Sequence, residues 1–256
     1  MVISIQDIYG ALEGFLWPFL RLSAMLFAAP ILGARTVPVR IRIVLGIVLT
    51  ILLQPVLPVS AEIEALSATG LLTALQQIAI GVVMGMTLQI MFSAFVMAGM
   101  ITATTMGLSF ASTVDPQNGI QVPMIGQLYL IMGTLMFLGL DGHLLLIEIL
   151  AASFLAWPVG GTLFDSNLYL SIGLFGTQMF LAAVMIALPA TMGVLLVNLG
   201  LGVVTRAAPQ LNIFSVGFPI TILSGFVLIL LSIPLITGVF ENLSTGAFAI
   251  LQSLAN

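Results

Sequence analysis

Residues 106–123 read M-G-L-S-F-A-S-T-V-D-P-Q-N-G-I-Q-V-P, and the reading of this stretch decides the fold. It lies between two long apolar runs and cannot be helical throughout. Asp115-Pro116 favours a turn or a helix start, because the ring of Pro116 pushes Asp115 out of the α region. Asn118-Gly119 is a second turn signal, since both residues tolerate positive φ. Pro123 then suits the first turn of a following helix. Ser109, Ser112 and Thr113 add hydroxyls without charge. In lipid, non-helical backbone survives only where protein buries it or where it lines an aqueous cavity. An uncharged loop with glycines and serines between membrane-type helices is therefore a gate candidate. The plainer alternative is a connecting loop at the bilayer surface.

The composition around that loop is of membrane type. Of 256 residues, 61% are hydrophobic and only 5% charged, with a mean hydropathy of +1.28. A soluble domain carries about 25% charged residues. There is no lysine, and the five cations are Arg21, Arg35, Arg40, Arg42 and Arg206. A net charge of −4 spread this thinly supplies no basic patch, so nucleic acid is not an expected partner. Without cysteine there is no disulfide or thiolate chemistry, and the single His143 makes no histidine-rich metal site. No cofactor is expected.

Outward from the central stretch, the N-terminal side opens with the apolar run Phe15–Leu32, which contains Trp17-Pro18 and Arg21. The next ten residues, G-A-R-T-V-P-V-R-I-R, hold three arginines and no acid. The positive-inside rule puts this loop in the cytoplasm and the N-terminus outside. A second run, Ile43–Leu57, is broken at Gln54-Pro55 and Pro58. From Ala65 to Val114 there is no charge. One straight helix over Leu71–Ile101 would be about 45 Å long, against a hydrocarbon core of about 30 Å. It therefore either breaks near Gly81 and Gly85 or extends beyond the lipid. Its small residues allow other helices close approach.

On the C-terminal side, Met124–Leu140 and Leu144–Trp157 flank Asp141-Gly142-His143, which reads as a helical hairpin closed by Pro158, Gly160 and Gly161. Ser166–Thr205 is a further uncharged tract with Pro189 inside it. Pro209 and Pro219 bracket a broken stretch, Ile220–Phe240 is interrupted at Pro234, and Ser244–Leu254 reads as a short final helix. The fold class is all-α, with membrane-associated helical hairpins and broken helices. No repeat or linker divides residues 1–256, which read as a single domain.

The candidates for chemistry are few. Asp115, Asp141, His143 and Glu148 are the candidates for an intramembrane enzyme, and one histidine assembles no Ser-His-acid set. Glu148 in L-L-L-I-E-I-L-A is a relay candidate, because an acid in an apolar helix is a functional candidate by default. Its alternative is a carboxylate that is protonated or paired with an arginine, on this chain or another. Arg206 before A-P-Q-L-N either serves free carbonyls near Pro209 or anchors topology. A self-contained secondary transporter with a midplane site at broken helices is the competing function class.

Six stretches in order carry a resemblance. They are Ala29–Arg42 (A-P-I-L-G-A-R-T-V-P-V-R-I-R), Gln77–Gly85 (Q-I-A-I-G-V-V-M-G), Gly107–Pro116 (G-L-S-F-A-S-T-V-D-P), Asp141–His143 (D-G-H), Ser153–Gly160 (S-F-L-A-W-P-V-G) and Arg206–Pro219 (R-A-A-P-Q-L-N-I-F-S-V-G-F-P). Together they resemble the FliR family of flagellar export-gate proteins, related to the T component of injectisome type III secretion. The resemblance implies no enzyme but a structural subunit that lines and plugs a conduit for unfolded flagellar export substrates. It implies FliP-like, FliQ-like and FlhB-like partners in a hetero-oligomeric, screw-like core at the flagellar basal body in the bacterial inner membrane. Part of that core would stand above the bilayer plane, which suits overlong apolar tracts better than conventional spans do. The plug would comprise Met106, Gly107, Leu108, Ser109, Phe110, Ala111, Ser112, Thr113, Val114, Asp115 and Pro116, continuing through Gly119 to Pro123. The residues expected to serve assembly or structure are Arg35, Arg40, Arg42, Asp141, His143, Glu148, Arg206, Pro209, Gln210 and Asn212.

Overall fold

The computed structural model describes residues 5–34, 37–58, 63–108, 124–161, 166–208 and 213–253. Among them are seven helices and no strand: α1 Ile5–Ala28, α2 Val39–Leu53, α3 Ala68–Thr105, α4 Met124–Gly139, α5 Gly142–Ala156, α6 Ser166–Ala207 and α7 Ile213–Ser253. The all-α expectation is met. Three helices (α3, α6 and α7) are long and apolar enough to cross a membrane, and α4 with α5 adds a fourth span if the bent pair counts as one.

Local sequence explains where the helices stop. Ala29-Pro30, Gln54-Pro55, Trp157-Pro158 and Ala208-Pro209 each follow a helix end. At each of them the proline has a further proline, a glycine or a polar residue close behind it. Pro18, Pro189, Pro219 and Pro234 instead lie inside helices. The breaks expected at Pro219 and Pro234, and a separate final helix at Ser244, are therefore not formed; α7 is continuous over 41 residues. Nor does α3 break at Gly81 or Gly85. The magnitudes account for this. An internal proline costs a helix about 3 kcal/mol. Opening a helix in apolar surroundings strands several backbone groups at a few kcal/mol each. A lone breaker in an apolar tract loses that contest.

The α3 helix, at 38 residues, is about 57 Å long by its rise per residue. Ser67 starts it, its Oγ accepting from the backbone N–H of Gly70 at 2.9 Å. Buried Thr73, Thr87 and Thr102 each donate their hydroxyl to the carbonyl four residues back, which hides the polar group within the helix.

The expected hairpin at Asp141 is a bend instead. Both arms form, but the path turns by 66° between α4 and α5. Asp141 sits in the left-handed region (φ 53°), and its carbonyl at once accepts from Leu144 and Leu145. The residue before it, Leu140, still bonds back to Met136. Helical bonding thus resumes within a residue or two, which leaves too little chain for a full reversal.

The chain forms two compact units, one of residues 1–90, 141–175 and 246–256, the other of residues 91–140 and 176–245. In the first, the α1 residues Trp17, Leu22, Met25 and Leu26 are buried, as are Ile80, Met84 and Leu88 of α3 and Leu150 and Phe154 of α5. A methyl group at Gly81 would strike the backbone of Arg21, and one at Gly85 would strike Ala28. The glycines therefore serve close helix contact, the other half of the expectation. In the second unit, Phe92 meets Phe137 edge-on at 5.6 Å and Phe95 meets Phe240 at 5.7 Å. Gly99 of α3 lies against the backbone of Gly126 of α4.

Because the obstruction at Gly81 is backbone, it cannot move aside as a side chain would. Gly81→Leu should destabilise the protein by at least the 1–3 kcal/mol typical of overpacking. Gly200→Ala, with open space around its Cα, should change stability by less than about 0.5 kcal/mol. Thermal unfolding of the two purified variants in one detergent checks the contrast.

Candidate functional site

The central stretch is launched by a helix C-cap. Gly107 has φ +80°, its N–H bonds to Thr104 O at 3.1 Å, and the N–H of Leu108 bonds to Ala103 O at 3.0 Å. This 5→2 and 6→1 pair is the Schellman motif, which stops α3 and turns the chain away from its axis. Met106, just before it, is fully buried. A Cβ on Gly225 of α7 would lie 2.5–2.7 Å from Met106 Cε, Cγ and Sδ. The glycine is what leaves room for this methionine. Of the expected plug residues, Met106 is therefore the root, with Gly107 and Leu108 leaving it. Ser109, Phe110, Ala111, Ser112, Thr113, Val114, Asp115, Pro116, Gly119 and Pro123 lie outside the described residues.

The other candidate residues are dispersed. Arg40 is exposed on the first turn of α2. Arg42 donates through Nη2 to the carbonyls of Ala34 and Val37, the latter at 2.9 Å, and its guanidinium lies 5.4 Å from the Phe27 ring. It clamps the turn between α1 and α2. Asp141 is exposed at the bend, His143 is half-buried with no partner for Nδ1 among the described residues, and Glu148 is exposed mid-helix. Among the described residues no group of three His, Asp or Glu is placed to hold a metal. Arg206 is exposed in the last turn of α6, where a cation suits the helix C-terminus. Arg35, Pro209, Gln210 and Asn212 fall outside the described residues.

The residue to which sequence reasoning assigns no role is Arg21. It is fully buried, and its guanidinium joins three helices. Nε donates to Gln77 Oε1 of α3 at 2.8 Å, Nη1 to Ser153 Oγ of α5 at 3.0 Å, and Nη2 to Trp157 O at 2.7 Å. Its Cζ lies over the Phe154 ring, 3.8 Å from the centroid. All three of these acceptors are neutral. The available signal was a lone cation inside an apolar run with no acid in reach along the chain.

The long apolar helices differ in how much the chain itself covers. In the most apolar stretch of α3, 56% of residues are buried, against 33% in α6 and 28% in α7. Leu181, Leu196, Leu199 and Val203 of α6 and Leu223, Leu230 and Leu231 of α7 are all at least 60% exposed. Soluble monomers rarely leave such a surface bare.

These features define a class: an all-helical, membrane-type chain whose α3 ends in a glycine cap and whose α6 and α7 carry exposed apolar residues. Residues 12–247 match the family described as bacterial export proteins, family 1. The chain is 38% identical over 240 residues to the flagellar biosynthetic protein FliR of Escherichia coli (strain K12), covering 94% of this chain and 92% of that protein. It is 36% identical to FliR of Pectobacterium carotovorum subsp. carotovorum, covering 97% and 95%, and 31% identical to FliR of Bacillus subtilis (strain 168), covering 98% and 96%. The chain belongs to bacterial export proteins, family 1, and the resemblance to FliR carried by its six motifs is borne out.

Two substitutions probe the contacts described above. Arg21→Ala removes the donor to Gln77 Oε1 and Trp157 O and opens a cavity, so about 2–5 kcal/mol should be lost, from about 1–3 kcal/mol per stranded acceptor and the cavity. Arg21→Lys should recover only part of this, because an ammonium cannot meet three diverging acceptors and stack on a ring. Gly225→Val must displace Met106 and should cost about 1–3 kcal/mol by overpacking, a loss that Met106→Ala in the same chain should partly relieve. Denaturant or thermal unfolding in detergent measures both.

Proposed function

We propose that this chain is a structural subunit of the flagellar type III protein export gate, lining and plugging the conduit for unfolded flagellar substrates. It performs no enzymatic step. It assembles with FliP-like and FliQ-like subunits and a FlhB-like subunit in the bacterial inner membrane at the flagellar basal body. Part of the assembled core stands above the bilayer plane. The observation that carries this reading is the uncovered apolar surface of α6 and α7 in a chain of the bacterial export family. Acyl chains would cover such helices in a self-contained transporter equally well, so it is the export-family match that favours the gate.

In this reading residues 106–123 occupy the conduit at rest and give way when substrate passes. The cap at Gly107 supports the assignment, because it holds the root while the chain beyond it leaves the helix. Leu108 and Phe110 supply an apolar seal, and Asp115 is the only charge in the stretch. An apolar constriction blocks ions by dewetting.

Deleting Ser109–Val114 should leave the complex assembled but leaky. The measurement is conductance of the purified complex in planar bilayers, alongside the yield of complex. A shortened variant that assembles at normal yield and stays as tight as the native protein would show the stretch to be a connector. Native mass after gentle extraction tests the assembly itself: a lone monomer would oppose it.

A further inference from the structure

Helix α5 has two apolar faces, and the chain uses one of them. Leu146, Ile149, Leu150, Ser153 and Phe154 are buried, and Ser153 and Phe154 hold Arg21. On the outward face Leu144 is 55% and Leu155 is 73% exposed, and Glu148 between them is exposed as well. With Ala151 these residues follow the i, i+4, i+7, i+11 spacing that puts side chains in one row along a helix. Among the described residues Glu148 has no hydrogen bond or ion pair.

The requirements of this row exclude simple surroundings. Acyl chains would cover the leucines but leave a carboxylate in hydrocarbon. Water would solvate the carboxylate but leave the leucines exposed. Anionic headgroups would repel Glu148. A helix with a cation between apolar turns satisfies both demands, and Ala151 lets its backbone come close. Among the described residues a second copy of this chain offers no such helix. Its exposed cations among the described residues, Arg40 and Arg206, sit in the first turn of α2 and the last turn of α6. Neither has apolar helix on both sides to cover Leu144 and Leu155.

We propose that the Leu144–Glu148–Leu155 face docks a helix of a different subunit, one that presents an arginine or lysine level with Glu148 and apolar residues a turn or two to either side. This deepens the multi-subunit reading above and rests on it. Arginine suits the position best, because its fork can hold a carboxylate through two bonds.

The test places a photo-cross-linking residue at Leu144 or Leu155 in the complex formed with the FliP-like, FliQ-like and FlhB-like subunits, and maps the adducts by mass spectrometry. The expected adducts fall on one partner helix within two turns of an arginine or lysine. Glu148→Gln, which barely alters shape, should lower their yield about tenfold, the change that 1.4 kcal/mol of lost interaction produces. Glu148→Asp should keep part of the yield. Exchanging the charges, with Glu148→Arg here and the partner's cation replaced by glutamate, should restore it. Adducts with lipid or a second copy only, or an undiminished yield in Glu148→Gln, overturn the proposal. The same cross-linker at Leu199 on α6 reports assembly. Partner adducts from Leu199 but none from Leu144 or Leu155 overturn this docking face alone, whereas none from any position overturns the multi-subunit reading with it.

Discussion

A guanidinium buried with no carboxylate partner among the described residues is the constraint on which the first compact unit depends. Removing a cation from water costs several kcal/mol even after relaxation. Here the loss is offset by three hydrogen bonds to neutral oxygens, each worth about 1.5–3 kcal/mol when the donor is charged, and by stacking on Phe154. Such a balance tolerates little movement. Gln77, Ser153 and Trp157 must each stand at bonding distance, and that sets the rotation of α3 and of α5 about Arg21. With α3 so rotated, Gly81 and Gly85 face α1, and no larger residue fits. With α5 so rotated, Ser153 and Phe154 face inward and Glu148 faces out.

The same preference for satisfied polar groups shapes the long helices. Four prolines remain inside helices because opening an apolar helix costs more than one missing bond. Threonines bond to their own helix for the same reason. Helix length follows from this, but helix covering does not. In its most apolar stretch α3 has 56% of its residues buried, against 33% in α6 and 28% in α7.

The root of the central stretch joins local and tertiary effects. Gly107 ends α3 through backbone geometry alone, and Gly225, far along the chain, leaves the space that Met106 fills. Neither glycine explains the other in sequence. Together they fix where the chain leaves the helix.

Much of this was legible in the residues. The near absence of charge dictates helices, because only helices satisfy an apolar chain's backbone locally. The six ordered motifs identify the family. Clustered breakers mark the helix ends at Pro55, Pro158 and Pro209, since a proline with turn residues behind it has no helix to rejoin, whereas the first apolar run reads on through Pro30 to Leu32 and its helix stops at Ala28. The tertiary structure alone decided the rest. Whether Pro219, Pro234 or Gly81 breaks a helix depends on the cost of the surroundings, not on the residue. Whether Asp141-Gly142 reverses the chain or bends it by 66° depends on how soon helical bonding resumes. Which side of α5 faces inward is invisible in a helix that is apolar all round. It is settled by Arg21, whose partners lie 56, 132 and 136 residues away along the chain and are brought together only by folding.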